Sequence, residues 1–255
     1  MPRIDVVLYI DIYILSMINI IKMLLGHYSA SFIPFFTSFI GIFSIISCYY
    51  IAIHLHHEKP LPHTWISATA EHYPEFLIFR TGTISNGVLM ILSYFLNHFY
   101  IRSVCYENMI HINKYKPKVT LFLGTLGIFG LFVSTATIDT GKMNTQLHVL
   151  CAGLFFLLTI MACVYNSFIY LMIYLHHKRV IKFWSLMIKL VLSVALIIQV
   201  YLNETSISFL HDKSVSSDLD HYLEFTMAFT IEGFFILMGF DLKGYQMIYK
   251  NKQSD

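Results

Sequence analysis

Residues 149–175 read VLCAGLFFLLTIMACVYNSFIYLMIYL, a stretch without one Asp, Glu, Lys or Arg. A helix needs roughly 20 mostly apolar residues to cross the hydrocarbon core of a bilayer, and this stretch is long enough. Five further stretches reach that length with few charges: 32–53, 81–100, 119–138, 183–202 and 223–240. The sequence therefore predicts an all-α fold, a polytopic transmembrane helical bundle with six spans.

The composition excludes an ordinary soluble enzyme. Hydrophobic residues make up 56% of the 255 residues and charged residues only 13%, whereas a soluble domain carries about a quarter charged residues. The chain has no dinucleotide-binding fingerprint, phosphate-binding loop or zinc-type cysteine pairing. It also has no dense basic stripe of the kind that binds nucleic acid. We therefore expect no cofactor, no metal and no nucleic-acid partner, and membrane lipids as the immediate partners.

A seventh apolar segment, residues 6–25, is a weaker candidate for a span. It carries Asp11 and Lys22, and a charge within a span costs about 2.5 kcal/mol or more on insertion scales. We interpret the segment as an interfacial or accessory helix. The expected organisation is an N-terminal accessory segment (1–30), a six-helix transmembrane domain (31–243) and a cytosolic tail (244–255).

The distribution of positive charge predicts the orientation of the bundle. The second and fourth loops and the C-terminal tail hold ten Lys and Arg residues, whereas the first, third and fifth loops hold four. The basic loops and the C-terminus are therefore predicted to face the cytosol. The sequon Asn203-Glu204-Thr205, at the start of the fifth loop, would then be lumenal and open to N-glycosylation.

The first loop, residues 54–80, is long and contains five of the thirteen histidines. Metal binding is an alternative, but no carboxylates stand at ligand spacing, and an ordinary solvated loop is favoured. Pro62 and Pro74 flank a small-residue run that includes Ser67, which predicts an ordered turn. Arg80, at the mouth of the second span, could extend to the interface, bind a lipid phosphate or pair with a buried carboxylate.

Two spans carry polar residues along one face. The residues are Asn86, Ser93 and Asn97 in the second span, and His148, Thr159 and Asn166 in the fourth. Their spacing keeps each set on one side of a helix, and lipid would leave them poorly satisfied, so both faces are predicted to point into the bundle. The amides are interpreted mainly as contacts between helices. His148, at the lumenal end, is the better functional candidate.

The last span contains Glu224 near its lumenal end and Glu232 near its middle. Eight residues place these carboxyl groups about 80° apart around a helix, so they need not share one pocket. A carboxyl group in mid-membrane is costly unless it is protonated or paired. Glu232 is therefore a candidate functional residue, and Arg80, Lys189 or protonation would explain it. Asp241 is interpreted as a helix-end charge only.

These motifs together resemble a family of six-span membrane proteins. The family includes post-GPI-attachment-to-proteins factor two, the damage-regulated autophagy modulators and the yeast suppressor-of-four-kinase protein. Its members have an Ile-Ser or Val-Ser motif in a structured first loop, a Pro-Glu or Pro-Gln pair before the second span, a histidine near the start of the fourth span and an acidic residue in the last. The residues that match are Ile66-Ser67-Ala68, Pro74-Glu75, Arg80, His148, Glu224 and Phe240-Asp241.

The resemblance implies a protein of the endoplasmic reticulum or Golgi that takes part in lipid remodelling of GPI anchors, with GPI-anchored proteins as partners. The lysosome and the plasma membrane are alternative locations. Lipid or substrate binding would fall to Arg80, Ser67 and Glu232. Positioning or catalysis would fall to His148, Glu75 and Glu224, and the resemblance leaves open whether such a protein is an enzyme or an accessory to one.

Three other functions are compatible with the residues. One is a non-enzymatic scaffold or modulator of autophagy or phosphoinositide signalling, which would recruit protein partners at its cytosolic loops. Another is a transporter that uses Glu232 as a proton-linked carboxylate. A third is a lumenal hydrolase built on Ser67, His148 and Asp139.

Overall fold

The computed structural model describes residues 30–113, 115–138, 145–178, 180–209 and 216–243, and the side chains at 145, 203–209, 216 and 217 are outside that description. These residues form six α-helices and no β-strand. The helices are α1 (Phe32–His54), α2 (Glu75–Glu107), α3 (Lys116–Ala136), α4 (Thr145–His176), α5 (Phe183–Phe209) and α6 (Ser216–Leu242). A single 3-10 turn, Ala68–Ala70, lies in the loop between α1 and α2.

All six helices are long and apolar enough to cross a membrane, which confirms the predicted all-α bundle of six spans. Their outer faces carry large apolar side chains: Phe39 and Phe122 are 61% and 65% exposed, and Val191 is 67% exposed. Such faces suit acyl chains rather than water. The predicted accessory segment and the tail from residue 244 onward lie outside the described residues.

The helices form a closed ring. Each helix packs against the next one in the chain, and α6 packs against α1. α6 also contacts α2 and α4 across the ring, and 56% of its spanning window is buried, compared with 28–39% for the other helices. α6 is therefore the innermost helix, which explains why its carboxyl groups lie inside the protein.

The contact between α3 and α4 depends on the absence of a side chain. A Cβ atom on Gly130 would lie 2.7 Å from the carbonyl oxygen of Cys151 on α4, so the two backbones approach more closely than any other residue allows. Small residues at helix crossings are common in membranes, because packing rather than water exclusion drives helix association there.

The helices are longer than the predicted spans, and in α2 and α5 this moves residues of interest out of the loops. α2 begins at Glu75 rather than at Thr81, because Pro74 occupies the N-cap position and Glu75 places an acidic side chain in the first turn, where the helix dipole favours it. Arg80 is therefore a helical residue. α5 continues to Phe209, so the backbone of Asn203 is helical as well.

The polar faces of the second and fourth spans point into the bundle, as predicted. Asn97 donates to Asn166 Oδ1 over 3.0 Å, and the Tyr170 hydroxyl donates to Asn97 Oδ1 over 2.8 Å. All three side chains are at most 1% exposed. This group joins α2 to α4 in the half of the bundle that lies away from the loop between α1 and α2.

A buried ion pair joins α5 to α6 in the same half. Lys189 is fully buried and pairs with Asp241, which also accepts a 2.7 Å hydrogen bond from Ser185. The ammonium group lies 3.4 Å from the centre of the Tyr170 ring. The interpretation of Asp241 as a helix-end charge only was therefore wrong. Its carboxylate balances a cation on the neighbouring helix.

Candidate functional site

A cleft with an internal volume of about 80 Å³ opens among five helices and the loop between α1 and α2. Residues that the sequence singled out line it together, among them Ser67, Asn86, His148, Glu224 and Glu232. The side of the bundle on which residues 55–74 lie is called the first-loop side below. The cleft begins there and reaches toward the middle of the bundle.

The floor of the cleft is a hydrogen-bonded pair between α6 and α2. Asn86 donates to Glu232 Oε1 over 2.7 Å, and Ser38 on α1 donates to the backbone oxygen of Glu232 over 2.6 Å. Glu232 Oε2 and Asn86 Oδ1 are buried and have no hydrogen-bond partner among the described residues. Since a buried polar atom without a partner is costly, these two oxygens are points where a bound molecule would gain hydrogen bonds.

The pair fits only because α1 has a glycine beside it. A Cβ atom on Gly41 would lie 2.2 Å from Glu232 Oε1 and 2.7 Å from Asn86 Nδ2. No heavy atoms come that close without overlap. Gly41 therefore provides the space for the carboxyl group and the amide at the floor of the cleft.

The mouth of the cleft is closed in part by the first loop, which is tied to α6. Glu224 Oε2 accepts a 2.8 Å hydrogen bond from the backbone N–H of Ile66, and this places the next residue, Ser67, on the cleft wall. Glu224 and Glu232 are eight residues apart, or about 12 Å along the helix axis. The cleft thus spans a depth of roughly two helical turns between its two carboxyl groups.

His148 faces the cleft from the start of α4, with its tautomer fixed by α3. Its Nδ1 lies 3.0 Å from the carbonyl oxygen of Ser134. A carbonyl can only accept, so Nδ1 carries the hydrogen and Nε2 is the nitrogen that can accept a proton or a hydrogen bond. The side chain is 7% exposed. This arrangement resembles that of a general base, in which one ring nitrogen is held so that the other can act.

The walls between these polar points are mainly apolar, with hydroxyl groups at Ser44, Thr83 and Thr135. Phe79, Leu131, Phe155, Phe156 and Ile231 line the cleft. The carboxyl, amide and imidazole groups therefore lie at the mouth and at the floor, with mainly hydrocarbon between them. Such a cavity suits an amphipathic molecule better than an ion or a fully polar solute.

Glu75 does not belong to the cleft, although the sequence made it a candidate for catalysis. Its Oε1 lies 2.7 Å from His57 Nδ1, its side chain is fully buried, and its Oε2 has no hydrogen-bond partner among the described residues. The His57 and His72 rings lie 4.8 Å apart beside it. The described residues contain no cluster of three or more His, Cys, Asp or Glu side chains that could hold a metal ion.

Arg80 also lies outside the cleft. Its Nη2 donates to the carbonyl oxygens of Ala136 and Ile138 at the end of α3, over 3.4 Å in each case. Lys189 pairs with Asp241 instead of with Glu232. Neither Arg80 nor Lys189, the two cations that the sequence suggested, is therefore the partner of Glu232. Its partner is Asn86.

Two residues named from the sequence have side chains outside the described part of the protein. Asp139, the third member of the conceivable hydrolase triad, lies outside the described residues. Asn203 has a described backbone at the end of the α5 span, but its side chain falls outside the description. The glycosylation site remains a prediction.

Among the residues of the cleft that sequence reasoning missed are Gly41, Ser134 and Thr135. Isolated glycines and hydroxyls are frequent in membrane helices, where they serve packing and bond to their own backbone. To recognise these residues from the sequence, one would need to know which face of α1 packs against α6 and which face of α3 packs against α4. Asn86 was noticed, but as a contact between helices rather than as the partner of Glu232.

Comparison with known proteins identifies the family. Neither the curated proteins nor the solved structures include a significant match to the chain. A family model described as the Frag1/DRAM/Sfk1/Cwh43P N-terminal domain matches residues 29–245, which covers α1 to α6 and all loops between them. The chain therefore belongs to the Frag1/DRAM/Sfk1/Cwh43P N-terminal domain family of multi-pass membrane proteins.

Proposed function

We propose that this protein binds the lipid part of GPI-anchored proteins in its cleft and takes part in remodelling that lipid in the endoplasmic reticulum or the Golgi. The observation that carries the proposal is the amphipathic cleft inside a membrane-spanning bundle, with His148 and Glu224 near its mouth and Glu232 with Asn86 at its floor. A glycolipid has the same alternation of hydroxyl-bearing and hydrocarbon parts.

The charges of the cleft favour one part of such a ligand over another. Glu224 and Glu232 are acidic, and Lys189, the buried cation of the bundle, is held by Asp241. Among the described residues, the lining of the cleft contains no Lys or Arg that would bind a phosphate group. Sugar hydroxyls or an amine could instead donate hydrogen bonds to the unpartnered oxygens of Glu232 and Asn86.

His148 supplies the chemistry in this proposal. With Nδ1 bonded to Ser134, Nε2 can accept a proton from a hydroxyl group of the ligand or of water at the cleft mouth. The same nitrogen can equally hold a ligand hydroxyl in place by a hydrogen bond. Either role makes the imidazole necessary for the activity.

The proposed orientation places the first-loop side in the lumen and the C-terminus in the cytosol. The excess of Lys and Arg in the loops between α2 and α3 and between α4 and α5 supports this orientation. The cleft would then open toward the compartment in which GPI-anchored proteins reside during maturation.

Complementation tests the proposal. Cells that lack their endogenous GPI-remodelling factor of this family are given the full chain, and the lipid composition of the anchors is read by mass spectrometry. We expect the wild type to restore the remodelled lipid and His148→Ala to fall to the background of the empty vector. His176→Ala is the matched control, because it lies at the other end of α4 and is exposed.

Three outcomes decide the matter. If the wild type leaves the anchor lipids unchanged in those cells, the proposal is wrong. If His148→Ala and Glu224→Gln both rescue fully, the cleft is not the site. If only deletion of residues 243–255 abolishes rescue while the cleft variants are silent, the protein works as a scaffold that recruits partners on the other side of the membrane.

A further inference from the structure

A second groove runs along the outside of the bundle, between α2 and α3. It is lined by Arg80, Ile84, Val88, Phe132 and Ala136. Ile84 and Val88 are 45% and 49% exposed, so the groove faces outward, toward the acyl chains of the membrane. Arg80 is its only charged lining residue, and it stands at the end nearest the first-loop side.

The groove is separate from the cleft. The seam between the two helices is closed by Phe132, whose ring packs so tightly against Gly87 that a Cβ atom there would lie 2.4 Å from it. Leu131 and Thr135 of α3 face the cleft, whereas Phe132 and Ala136 face the groove. The two sites therefore lie on opposite sides of one helix contact.

Arg80 is placed but only loosely held. Its two hydrogen bonds to carbonyl oxygens are both 3.4 Å long, beyond the usual range for N–H donors. The guanidinium group stacks 4.6 Å from the centre of the Phe76 ring. Among the described residues no carboxylate pairs with it, and both bonds use one nitrogen of a group with five N–H donors.

The depth of Arg80 matches the headgroup level of a bilayer. α2 has 33 residues, or about 50 Å, whereas the hydrocarbon core is about 30 Å thick. A centred helix extends about 10 Å beyond the core at each end, and Arg80 lies about 7.5 Å from the start of the helix. Val88 lies about 12 Å further in, which is most of the depth of one leaflet.

We propose that this groove is a binding site for a glycerophospholipid, with the lipid phosphate on Arg80 and one acyl chain along Ile84, Val88 and Phe132. Arginine suits the phosphate because its planar fork donates two parallel hydrogen bonds to two oxygens. The uncompensated positive charge selects a lipid that carries a phosphate over a neutral one with the same chains. The site goes beyond the proposed function and does not depend on it.

Native mass spectrometry of the full chain tests the site. The detergent-purified protein is titrated with dioleoyl phosphatidylglycerol and, separately, with dioleoylglycerol, which has the same chains and no phosphate. We expect one phosphatidylglycerol to bind more tightly than the rest and more tightly than dioleoylglycerol. Arg80→Gln should weaken that first binding step about tenfold or more, because the hydrogen bonds between the guanidinium group and the phosphate are lost.

A second variant fills the groove without removing the charge. Ala136→Trp places a large ring on the groove floor, at a position that is exposed and therefore tolerant. It should weaken the same step. Its control is Val133→Trp, three residues away on the outer face of α3 and 41% exposed. The control for the charge is Arg102→Gln, exposed near the other end of α2.

The proposal is overturned if Arg80→Gln and Ala136→Trp bind phosphatidylglycerol as the wild type does. It is also overturned if the two controls weaken binding equally, because the lipid would then be part of a general annulus. Equal binding of dioleoylglycerol would remove the role of the phosphate. A protein dimer in place of the lipid adduct would make the groove a contact between two copies. None of these results bears on rescue by the cleft variants, so the two proposals fail separately.

Discussion

Gly41 and Glu232 occupy a space that cannot take one more carbon atom. The Cα of Gly41 on α1 faces the carboxyl group on α6 where Asn86 of α2 bonds to it. The first, second and last of the six helices therefore meet at one polar contact. The conformation of the cleft floor therefore depends on Gly41, because any side chain at this position would overlap the carboxyl group of Glu232.

The first prediction concerns this contact. Gly41→Ala should destabilise the protein by about 1–3 kcal/mol, the usual cost of overpacking a filled interior. The measurement is the midpoint temperature for loss of the monodisperse peak in detergent. Gly153→Ala is the control, because a Cβ atom there meets nothing within 4 Å. It should be neutral or slightly stabilising, since alanine favours helix over glycine. Equal loss in both variants would contradict the prediction.

The second prediction separates the hydrogen bond of Glu232 from its acidity. Glu232→Gln keeps an oxygen that can accept from Asn86 and should preserve the midpoint temperature. Glu232→Ala leaves Asn86 without that partner and should cost about 1–3 kcal/mol. Proton-linked flux in liposomes is the second readout: flux that the wild type shows and Glu232→Gln lacks would favour a transporter. A Glu232→Ala protein as stable as the wild type would show that the bond contributes nothing.

The third prediction concerns Lys189 and Asp241. Removing one partner leaves an unpaired charge inside the bundle, so Lys189→Met should cost about 3–5 kcal/mol. Replacing both with Lys189→Met and Asp241→Leu should recover most of that loss, because the second charge is gone as well. The midpoint temperature of each variant in detergent is the measurement.

A neighbouring lysine provides the control for that pair. Lys182 is exposed and donates to the backbone oxygen of Phe240 over 3.2 Å. Lys182→Met should change stability by no more than about 0.5 kcal/mol. A double variant as unstable as Lys189→Met alone would mean that the charge pair is not the source of the effect.

The fourth prediction concerns the loop that covers the cleft. Glu224→Ala removes the acceptor of the Ile66 N–H, so residues 60–72 should exchange amide hydrogens faster while α2 and α6 keep their protection. Hydrogen exchange read by mass spectrometry gives the answer peptide by peptide. Glu71→Ala, in the same loop and partly exposed, is the comparison. Unchanged exchange in Glu224→Ala would show that the loop is held by other contacts.

The fifth prediction concerns orientation. If the first-loop side is lumenal, Asn203 should carry an N-glycan that endoglycosidase removes and that Asn203→Gln abolishes. The opposite loop serves as the control: His177→Asn with Arg179→Thr creates a sequon that should stay unmodified. Modification of the engineered sequon instead of Asn203 would reverse the orientation.

The sequence predicted the parts of this protein that depend on local pattern. Span length and apolar content identified six helices, and the spacing of Asn86, Asn97 and His148 placed those side chains inside the bundle. These features follow from helix geometry and from the cost of polar groups in lipid. They require no knowledge of which helices are neighbours.

The parts that failed depend on how the helices pack against one another. Lys189 and Asp241 are far apart in sequence, and no local sequence pattern indicates that the packing of α5 against α6 brings them together. Arg80 was assigned to the same site as His148, but one residue of rotation around α2 separates the groove from the cleft: Phe79 faces inward and Arg80 outward. Glu75 was expected in the loop between the first two spans. It is instead the first residue of α2, where its side chain is buried and contacts His57.

Closure of the ring by α1 and α6 has a consequence for synthesis. The first and last of the six helices are the ones that meet, so α1 emerges from the ribosome long before the helix that covers its inner face. Until translation is complete, Gly41 has no carboxyl group beside it and the cleft has no floor. A chain that stops short of α6 would keep five hydrophobic helices in the membrane with an open seam between α1 and α5.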